Sequence, residues 1–375
     1  MSNDMWKSLK YKNVAVFLGI ILLIILIIFA SCSDTTPSVD PNAQKAQTIS
    51  KNESPTEAKQ STLFASSKKM ELNNNESLGK GNLILVNNDN AYAADLTDSV
   101  VSLIQYNTNS DGDQLFSLTD SSVCSLEPAA LQMQSMMTAF YAKNSDSSLF
   151  ISTGYVAPDD QESLAFDSGK NDAGTGLSFN LGLWSDDSGM SAYDGSGDYS
   201  WITDNMAKYG FVTRYPSDKS DITGTAGNPA IIRYVGLPHA EIMSANGFCL
   251  EEYINYIKTY TFENPLQQTG SNGVVYAVYY TEMKKGNTTE IKIPTKADGT
   301  EYTYSISGNN VDGYIVTVAM EKADRSASSG DAKTASSNSE AATQAASVFN
   351  ADSTEAAQGT TKTTTTTVTP FIPES

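Results

Sequence analysis

Apolar residues along this chain are concentrated in one central region that lies between two polar stretches. Residues 32–80 are rich in Ser, Thr, Asn, Gln and Lys, and residues 322–375 are rich in Ala, Ser and Thr. Such segments bury too little apolar surface to offset the entropy of ordering them, so we predict a disordered stalk and a disordered tail. The folded part is then residues 81–321, roughly 240 residues, which is enough for one sizeable core.

The spacing of apolar positions predicts a mixed α+β fold. After Pro128, which suits the first turn of a helix, leucine, methionine and aromatic residues recur at helical spacing to Lys143 and form a core-facing methionine stripe. Short apolar runs predict the strands 83–86, 149–152, 176–184, 211–214 and 231–235. Further helical patterns lie at 201–208, 240–246 and 250–260. We therefore expect a small antiparallel sheet flanked by helices over residues 81–260.

The pattern changes after Tyr260. Four runs of β-branched and aromatic residues are separated by turns that contain Asn, Asp or Gly, and they lie at 274–280, 290–293, 302–306 and 314–319. This alternation predicts a small C-terminal antiparallel β subdomain over residues 261–321.

The N-terminus has the pattern of an exported protein. Residues 1–13 are basic and residues 14–31 are mostly apolar, which places the first segment in the cytoplasm and the second in the membrane. The apolar run ends in Phe29-Ala30-Ser31-Cys32, which is similar to a bacterial lipobox and predicts lipidation of Cys32. An uncleaved signal anchor with an incidental cysteine is the alternative. Both interpretations tether the chain to the extracellular face of the cell membrane.

The net charge limits which partners the chain can bind, and the cysteines bear on whether disulfides form outside the cell. The formal net charge is −19 and the chain has one histidine, and such an acidic chain is unsuited to binding nucleic acid. Apart from Cys32, the chain has Cys124 and Cys249, which would lie outside the cell, where disulfides can form. A disulfide between them is one interpretation, and two buried free thiols are the other.

Three separated strings in the central region carry a family resemblance. They are Thr153–Ala157 (TGYVA), Ala173–Asn180 (AGTGLSFN) and Asn228–Gly236 (NPAIIRYVG), and the aromatic and glycine framework from Trp201 to Tyr253 fits them in order and spacing. This pattern resembles the zinc-dependent D-alanyl-D-alanine carboxypeptidases of the VanY type. The resemblance implies a DD-carboxypeptidase-like fold, a catalytic zinc ion and a peptidoglycan stem peptide as substrate.

The chain departs from the family pattern at the positions that carry the chemistry. The positions of the zinc-ligating His, Asp and His hold Ala173, Asn180 and Ile231, and none of these is a useful zinc ligand. The position of the general-base glutamate holds Asn228, which cannot take a proton from water near neutral pH. The resemblance therefore implies the fold more strongly than the activity.

The substrate-binding positions change as well. Val156 and Ala157 stand where the family has an arginine and a serine, and an apolar side chain cannot pair with a peptide carboxylate. With these two, the candidates for ligand contact in the cleft are Tyr155, Gln161, Trp201, Arg214, Arg233 and Tyr234. His239 lies outside the motifs, and we interpret it as a surface or helix-start residue.

These substitutions favour a pseudoenzyme over the activity that the family implies. We expect no bound zinc and no catalytic residue. The leading hypothesis is a membrane-tethered binding or regulatory module whose partner is a peptidoglycan stem peptide or a cell-wall protein. Two alternatives stay open, an active D-alanyl-D-alanine carboxypeptidase and a structural surface spacer.

Overall fold

The fold is taken from a computed structural model that describes residues 63–164, 167–185 and 189–322. The predicted membrane segment at 14–31, the lipidation site Cys32, most of the predicted stalk and nearly all of the predicted tail lie outside the described residues. Within the described ranges, no helix is long and apolar enough to cross a bilayer.

Short strands alternate with short helices along the described chain. The strands are β1 (Ser66–Asn73), β2 (Val100–Ser102), β3 (Ser117–Leu118), β4 (Cys124–Leu126), β5 (Leu149–Thr153), β6 (Ser178–Ser185), β7 (Gly189–Ala192), β8 (Phe211–Tyr215), β9 (Asn228–Tyr234), β10 (Leu266–Thr269), β11 (Val274–Glu282), β12 (Thr288–Thr295), β13 (Thr303–Gly308) and β14 (Gly313–Lys322). The α-helices are α1 (Asn74–Ser77), α2 (Glu127–Asn144), α3 (Ser200–Asn205), α4 (Ser220–Thr223), α5 (His239–Asn246) and α6 (Leu250–Ile257).

The central sheet contains β3, β5, β6, β9 and β8 side by side, with β7 paired to β6. Only the β3–β5 pair is parallel among these described strands. One face of the sheet packs against α2, whose Met133, Met136, Met137 and Phe140 side chains are fully buried. The predicted α+β class is confirmed, and so is the predicted helix with its methionine stripe.

The C-terminal sheet is antiparallel and has the strand order β10-β11-β14-β13. Val278 and Ile315 on one face pack against α5 and α6. Tyr279 and Val316 on the other face belong to a separate cluster that contains Phe64. The predicted C-terminal antiparallel sheet is confirmed, although the predicted strand at 290–293 lies outside it and β10 takes part instead.

The end of the predicted stalk is ordered, which corrects the boundary at residue 80. β1 pairs along its whole length with β12 in an antiparallel ribbon. Met70 and Leu72 of β1 pack against the cluster that contains Ile291 and Ile293. Composition did not indicate this strand because its apolar residues are few and alternate with polar residues that face solvent.

The two cysteines of the folded region do not form a disulfide. Cys124 is half-buried in β4, Cys249 is buried before α6, and both are free thiols. The Cys249 N–H donates a hydrogen bond to the Glu252 carboxylate over 3.0 Å, so this residue caps the helix. The disulfide interpretation is therefore wrong, and the alternative of two free thiols agrees with the structure.

Candidate functional site

Two of the zinc-motif positions are neighbours on the face of the central sheet that points away from α2. Asn180 in β6 and Ile231 in β9 alternate with core residues such as Phe179 and Ile232, so their side chains point to the opposite face. They are direct cross-strand partners, and such side chains have their Cβ atoms about 4.5–5.5 Å apart. The structure thus brings together two of the three positions that the sequence motifs assign to zinc ligands.

Ala173, the third position, lies in the turn that precedes β6. Asn171 caps this turn, because its side-chain oxygen accepts a hydrogen bond from the Ala173 N–H over 2.9 Å. Gly176 ends the turn in the left-handed region with a φ of 67°, where glycine is unstrained. The Ala173 carbonyl accepts a hydrogen bond from the Val156 N–H over 3.3 Å. The second motif therefore retains a defined turn, and the first motif lies beside it.

The residues that the sequence motifs assign to the zinc and base positions lack the groups that the resemblance implies. Ala173 and Ile231 have no donor atom for a metal, and Asn180 has only a neutral amide. The Asn228 side-chain oxygen accepts a hydrogen bond from the Ala230 N–H over 3.0 Å, at the start of β9. Across the described residues, no group of three or more His, Cys, Asp or Glu side chains could hold a metal ion. The residues present do not fit the zinc ion of the family.

A buried ionic network lies next to these positions on the same face of the sheet. Ser178 and Arg233 form the adjoining cross-strand pair, and both bond to Asp172. The Ser178 hydroxyl donates to Asp172 Oδ2, and Arg233 Nη1 donates to Asp172 Oδ1 over 2.6 Å. The positions that the motifs assign to zinc ligands therefore lie beside a buried cluster of charged side chains that bond to each other.

Arg214 extends this network from β8 to α6. Its Nε donates to Asp172 Oδ1 over 3.1 Å, and its Nη1 and Nη2 donate to the two Glu251 oxygens over 3.1 and 2.9 Å. Burial disfavours the charged form of Asp172, but the adjacent Arg233 and Arg214 guanidinium groups hold the pKa of its carboxyl below the ordinary value. The charges are thus paired inside the protein, with Arg214 and Arg233 both 0% exposed.

These contacts correct two predictions. Arg214 and Arg233 do not lie in an open cleft, because both are enclosed and bonded to the protein itself. Arg233 Nη2 donates to the carbonyls of Asn82 and Ile84, each over 3.0 Å, and Arg214 Nη2 donates to the Val86 carbonyl over 2.9 Å. The predicted strand at 83–86 is not a strand. The Ile84 and Val86 carbonyls accept hydrogen bonds from arginine side chains, and the Leu85 carbonyl accepts from the Asn310 side-chain amide over 3.0 Å. Side chains thus take the place of a neighbouring strand, which explains the difference.

The segment Tyr155–Ala157 remains beside the zinc-motif positions. The Tyr155 hydroxyl donates to Asp95 Oδ1 over 3.1 Å and accepts from the Leu96 N–H over 2.9 Å, which fixes the tyrosine to a neighbouring loop. Val156 and Ala157 are half-buried, and Val156 is bonded through its backbone to the turn described above. Of the residues predicted to contact a ligand, Val156 and Ala157 are therefore the two that lie near Ala173 without a side-chain bond to the rest of the protein.

The other predicted contact residues have structural surroundings. Gln161 is fully buried, and its side-chain oxygen accepts a hydrogen bond from the Asn171 N–H over 2.9 Å. Trp201 packs against Phe140 of α2, with ring centroids 5.8 Å apart. Tyr234 belongs to the core on the α2 side of the sheet and lines a separate pocket. The structure therefore does not bring these three together with Asn180 and Ile231.

His239 begins α5 as predicted, but the prediction of a surface residue is wrong. The residue is 5% exposed. Its Nδ1 lies 2.6 Å from the Tyr253 hydroxyl, and its Nε2 lies 2.9 Å from Thr317 Oγ1. Burial lowers the pKa of the imidazole to about 3. The neutral ring thus links α5 and α6 to the C-terminal sheet.

This burial predicts that the free energy of unfolding falls by about 2 kcal/mol between about pH 7 and about pH 5. The only histidine of the chain has an ordinary pKa of 6.5, but its pKa is about 3 when folded. The unfolded state therefore binds more protons as the pH falls through this window, and stability is lost. Urea unfolding at both pH values measures the change. The His239→Asn variant should lack this pH dependence, and an unchanged dependence would refute the assignment.

Comparison with known proteins first defines the class of fold. The structure matches that of the vancomycin-resistance D,D-dipeptidase VanXYg, solved in complex with a D-Ala-D-Ala phosphinate analog, with a TM-score of 0.56 and 27% sequence identity. The match covers 68% of this chain and 99% of VanXYg. The architecture is therefore that of the DD-peptidases, as the sequence motifs predict.

Sequence comparison then shows the family. The chain is 33% identical over 252 residues to a D-alanyl-D-alanine carboxypeptidase of Enterococcus faecium, which is 65% of this chain and 77% of that protein. It is 50% identical over 52 residues to the bifunctional D-Ala-D-Ala dipeptidase and carboxypeptidase VanXYC of Enterococcus gallinarum, or 14% of this chain and 27% of that protein. No family model matches the chain. The chain belongs to the VanY/VanX-type D-alanyl-D-alanine carboxypeptidase family.

Proposed function

We propose that this protein is a non-hydrolytic member of its family that binds peptidoglycan stem peptides at the cell wall. The observation that carries the proposal is the residue set Ala173, Asn180 and Ile231, which offers no ligands for zinc. Asn228 likewise offers no general base. The strands and the turn that carry these positions are formed, so the framework of the family persists without its chemistry.

The proposed ligand class is supported by the family. VanXYg is solved with a D-Ala-D-Ala phosphinate analog, and the relatives are D-Ala-D-Ala carboxypeptidases and dipeptidases by name. In this chain Val156, Ala157 and Ile231 make the corresponding surface apolar. The two arginines in the described part of the chain, Arg214 and Arg233, are bonded to Glu251 and Asp172 and are not available to pair with a peptide carboxylate. Binding would then rest on apolar contacts and backbone hydrogen bonds, with a Kd on the order of 0.1–1 mM.

We place this binding module at the extracellular face of the cell membrane. The basic residues 1–13 and the apolar residues 14–31 support a membrane tether, with Cys32 as the lipidation site or as part of an uncleaved anchor. The polar composition of residues 33–62 supports a flexible spacer between the membrane and the folded region. Stem peptides of the wall lie on the same side of the membrane.

Three measurements on the full chain test the proposal. We expect elemental analysis to find far less than one zinc per chain, and no D-alanine to be released from a synthetic stem pentapeptide ending in D-Ala-D-Ala. The same peptide should bind saturably in a calorimetric titration. Stoichiometric zinc together with D-alanine release would identify an active carboxypeptidase. The absence of zinc, release and peptide binding would instead favour a structural spacer.

A matched pair of variants locates the peptide site. Ala157→Trp places a bulky ring beside Val156 and should abolish peptide binding, because it occupies the surface that the peptide would cover. Ala157→Ser changes the side chain by a single oxygen and should leave binding within about twofold. Thermal unfolding of both variants verifies that they fold. Equal binding by the two variants would place the peptide elsewhere.

A further inference from the structure

A pocket of about 280 Å³ lies between the central sheet and the C-terminal sheet. Its walls come from the end of β9, from α2, and from β13 and β14. None of the zinc-motif positions is among the described residues that line it. The pocket is therefore distinct from the surface near Ala173 and Ile231, and the family motifs do not account for it.

The floor of this pocket is a strip of small residues with hydroxyl groups. Thr303 and Ser305 of β13 line the pocket. Tyr304 and Ile306 also border it, but they pack against the cluster on the opposite face of the C-terminal sheet. Thr317, the cross-strand partner of Ser305, also lines the pocket. Elsewhere this face packs against α5 and α6 through apolar side chains. The change to hydroxyl residues coincides with the pocket.

Several polar side chains of the pocket have no hydrogen-bond partner among the described residues. They are the amides of Asn82 and Gln132 and the hydroxyls of Tyr234, Thr303 and Ser305, all of which line the pocket. Tyr234 is only 6% exposed, and its hydroxyl, which is not among the buried unpaired side-chain atoms of the described residues, is open to the pocket. These groups converge on one pocket, so a ligand rich in hydrogen-bond donors and acceptors could pair with several of them at once.

The pocket is nearly uncharged, although the chain is acidic. Burial raises the pKa of the Tyr234 hydroxyl, and the Tyr276 hydroxyl raises it further, so both groups are neutral at pH 7. Burial keeps His239 neutral as well. Of the described residues that line the pocket, Lys208 alone carries a full charge. Tyr209 and Tyr276 add aromatic rings. Amides, hydroxyls and aromatic rings without a carboxylate suit a neutral polyhydroxyl ring, whose C–H face packs on aromatic surface.

We propose that this pocket binds an N-acetylated saccharide ring. The Asn82 and Gln132 amides each offer a donor and an acceptor, which complement the N–H and C=O of an acetamido group. Thr303 and Ser305 complement the hydroxyl groups of the ring. The inference does not rest on the proposed peptide binding, because the pocket shares no residue with the surface that carries Asn180 and Ile231.

The test is a titration of the full chain with N-acetylglucosamine, using protein prepared without glycoside detergents. We expect saturable binding of this probe, at least tenfold weaker binding of glucose, and at least tenfold weaker binding of the probe by the Asn82→Ala/Gln132→Ala variant. The Gln267→Ala variant, which removes an exposed amide of β10 outside the pocket, should bind like the wild type. Thermal unfolding confirms that both variants fold.

Three outcomes would overturn the proposal. They are no saturable binding up to about 50 mM probe, equal binding of glucose and N-acetylglucosamine, and unchanged binding by Asn82→Ala/Gln132→Ala. Because no peptide is present in the titration, failure here leaves the proposed stem-peptide binding unaffected. Failure of peptide binding would equally leave the saccharide result in place.

Discussion

Replacing Asp172 by asparagine is expected to lower the free energy of unfolding by about 3–5 kcal/mol. The amide keeps the shape of the side chain but removes the charge that pairs with Arg214 and Arg233, over 3.1 and 2.6 Å. Glu251 continues to pair with Arg214, whereas Arg233 loses the carboxylate to which it is bonded. A buried guanidinium without a counter-charge is costly, since its desolvation is no longer offset.

Urea unfolding of Asp172→Asn and of a surface control measures this effect. The control is Lys69→Gln, which removes an ion pair with Glu290 in which the lysine side chain is 71% exposed. It should change the free energy of unfolding by less than about 1 kcal/mol. A similar small change in Asp172→Asn would show that the buried network contributes little. In the wild type, the contribution of Asp172 is present above its ordinary pKa and is lost as the pH falls through the lowered pKa of the folded state.

Restoring the family's residues is expected to create a zinc site. In the variant Ala173→His/Asn180→Asp/Ile231→His, we expect one zinc per chain with a Kd of roughly 1 µM or tighter, whereas the wild type should bind none. The physical reason is that Asn180 and Ile231 are direct cross-strand partners on one face, so an aspartate and a histidine placed there can reach one ion. Elemental analysis and a zinc-dependent rise in thermal stability measure the gain.

Adding Asn228→Glu to this triple variant should supply the missing base. We expect D-alanine release from the stem pentapeptide to be at least about 100-fold faster than in the triple variant, which is the usual contribution of a positioned general base. A variant with Ile231→Leu in place of Ile231→His should bind no zinc, because leucine has no donor atom. If the triple variant also failed to bind zinc while remaining folded, the three positions would not share one site and the motif assignment would be wrong.

Much of the fold could be predicted because its elements have strong local patterns. The helix α2 has a complete apolar stripe, the strand around Phe179 alternates clearly between apolar and other residues, and the strand around Ile232 contains a short apolar run. The strand β1 was missed because its two apolar residues, Met70 and Leu72, stand in a stretch with the composition of a linker. Only pairing with β12, far along the chain, makes it a strand.

The roles of the charged residues could not be derived in the same way. An arginine in a strand has the same local pattern whether it faces a cleft or a buried carboxylate. Asp172 and Glu251, whose carboxylates pair with Arg214 and hold it inside the protein, lie in other elements. The same holds for His239, whose burial depends on Tyr253 and Thr317. The motifs therefore predict which positions correspond to the zinc ligands, whereas the pairing of the neighbouring charges is seen only in the three-dimensional structure.

The pocket between the two sheets could not be predicted from the sequence either, since its walls come from elements that are distant along the chain. One local signal was present. Thr303, Ser305 and Ser307 occupy alternate positions of β13, on the face that would be apolar if it were wholly covered by helices. Such a run of small hydroxyl residues on a covered face indicates a cavity or a polar interface, but it does not say which element lies opposite.

The burial of His239 also determines how the net charge of the folded protein depends on pH. Histidine is the side chain that normally adjusts a protein's charge between about pH 5.5 and about pH 7.5, and this chain has one, held neutral. The folded protein consequently keeps nearly the same negative charge across that range. Its electrophoretic mobility and its repulsion from other anionic surfaces should stay almost constant when the surrounding medium is acidified.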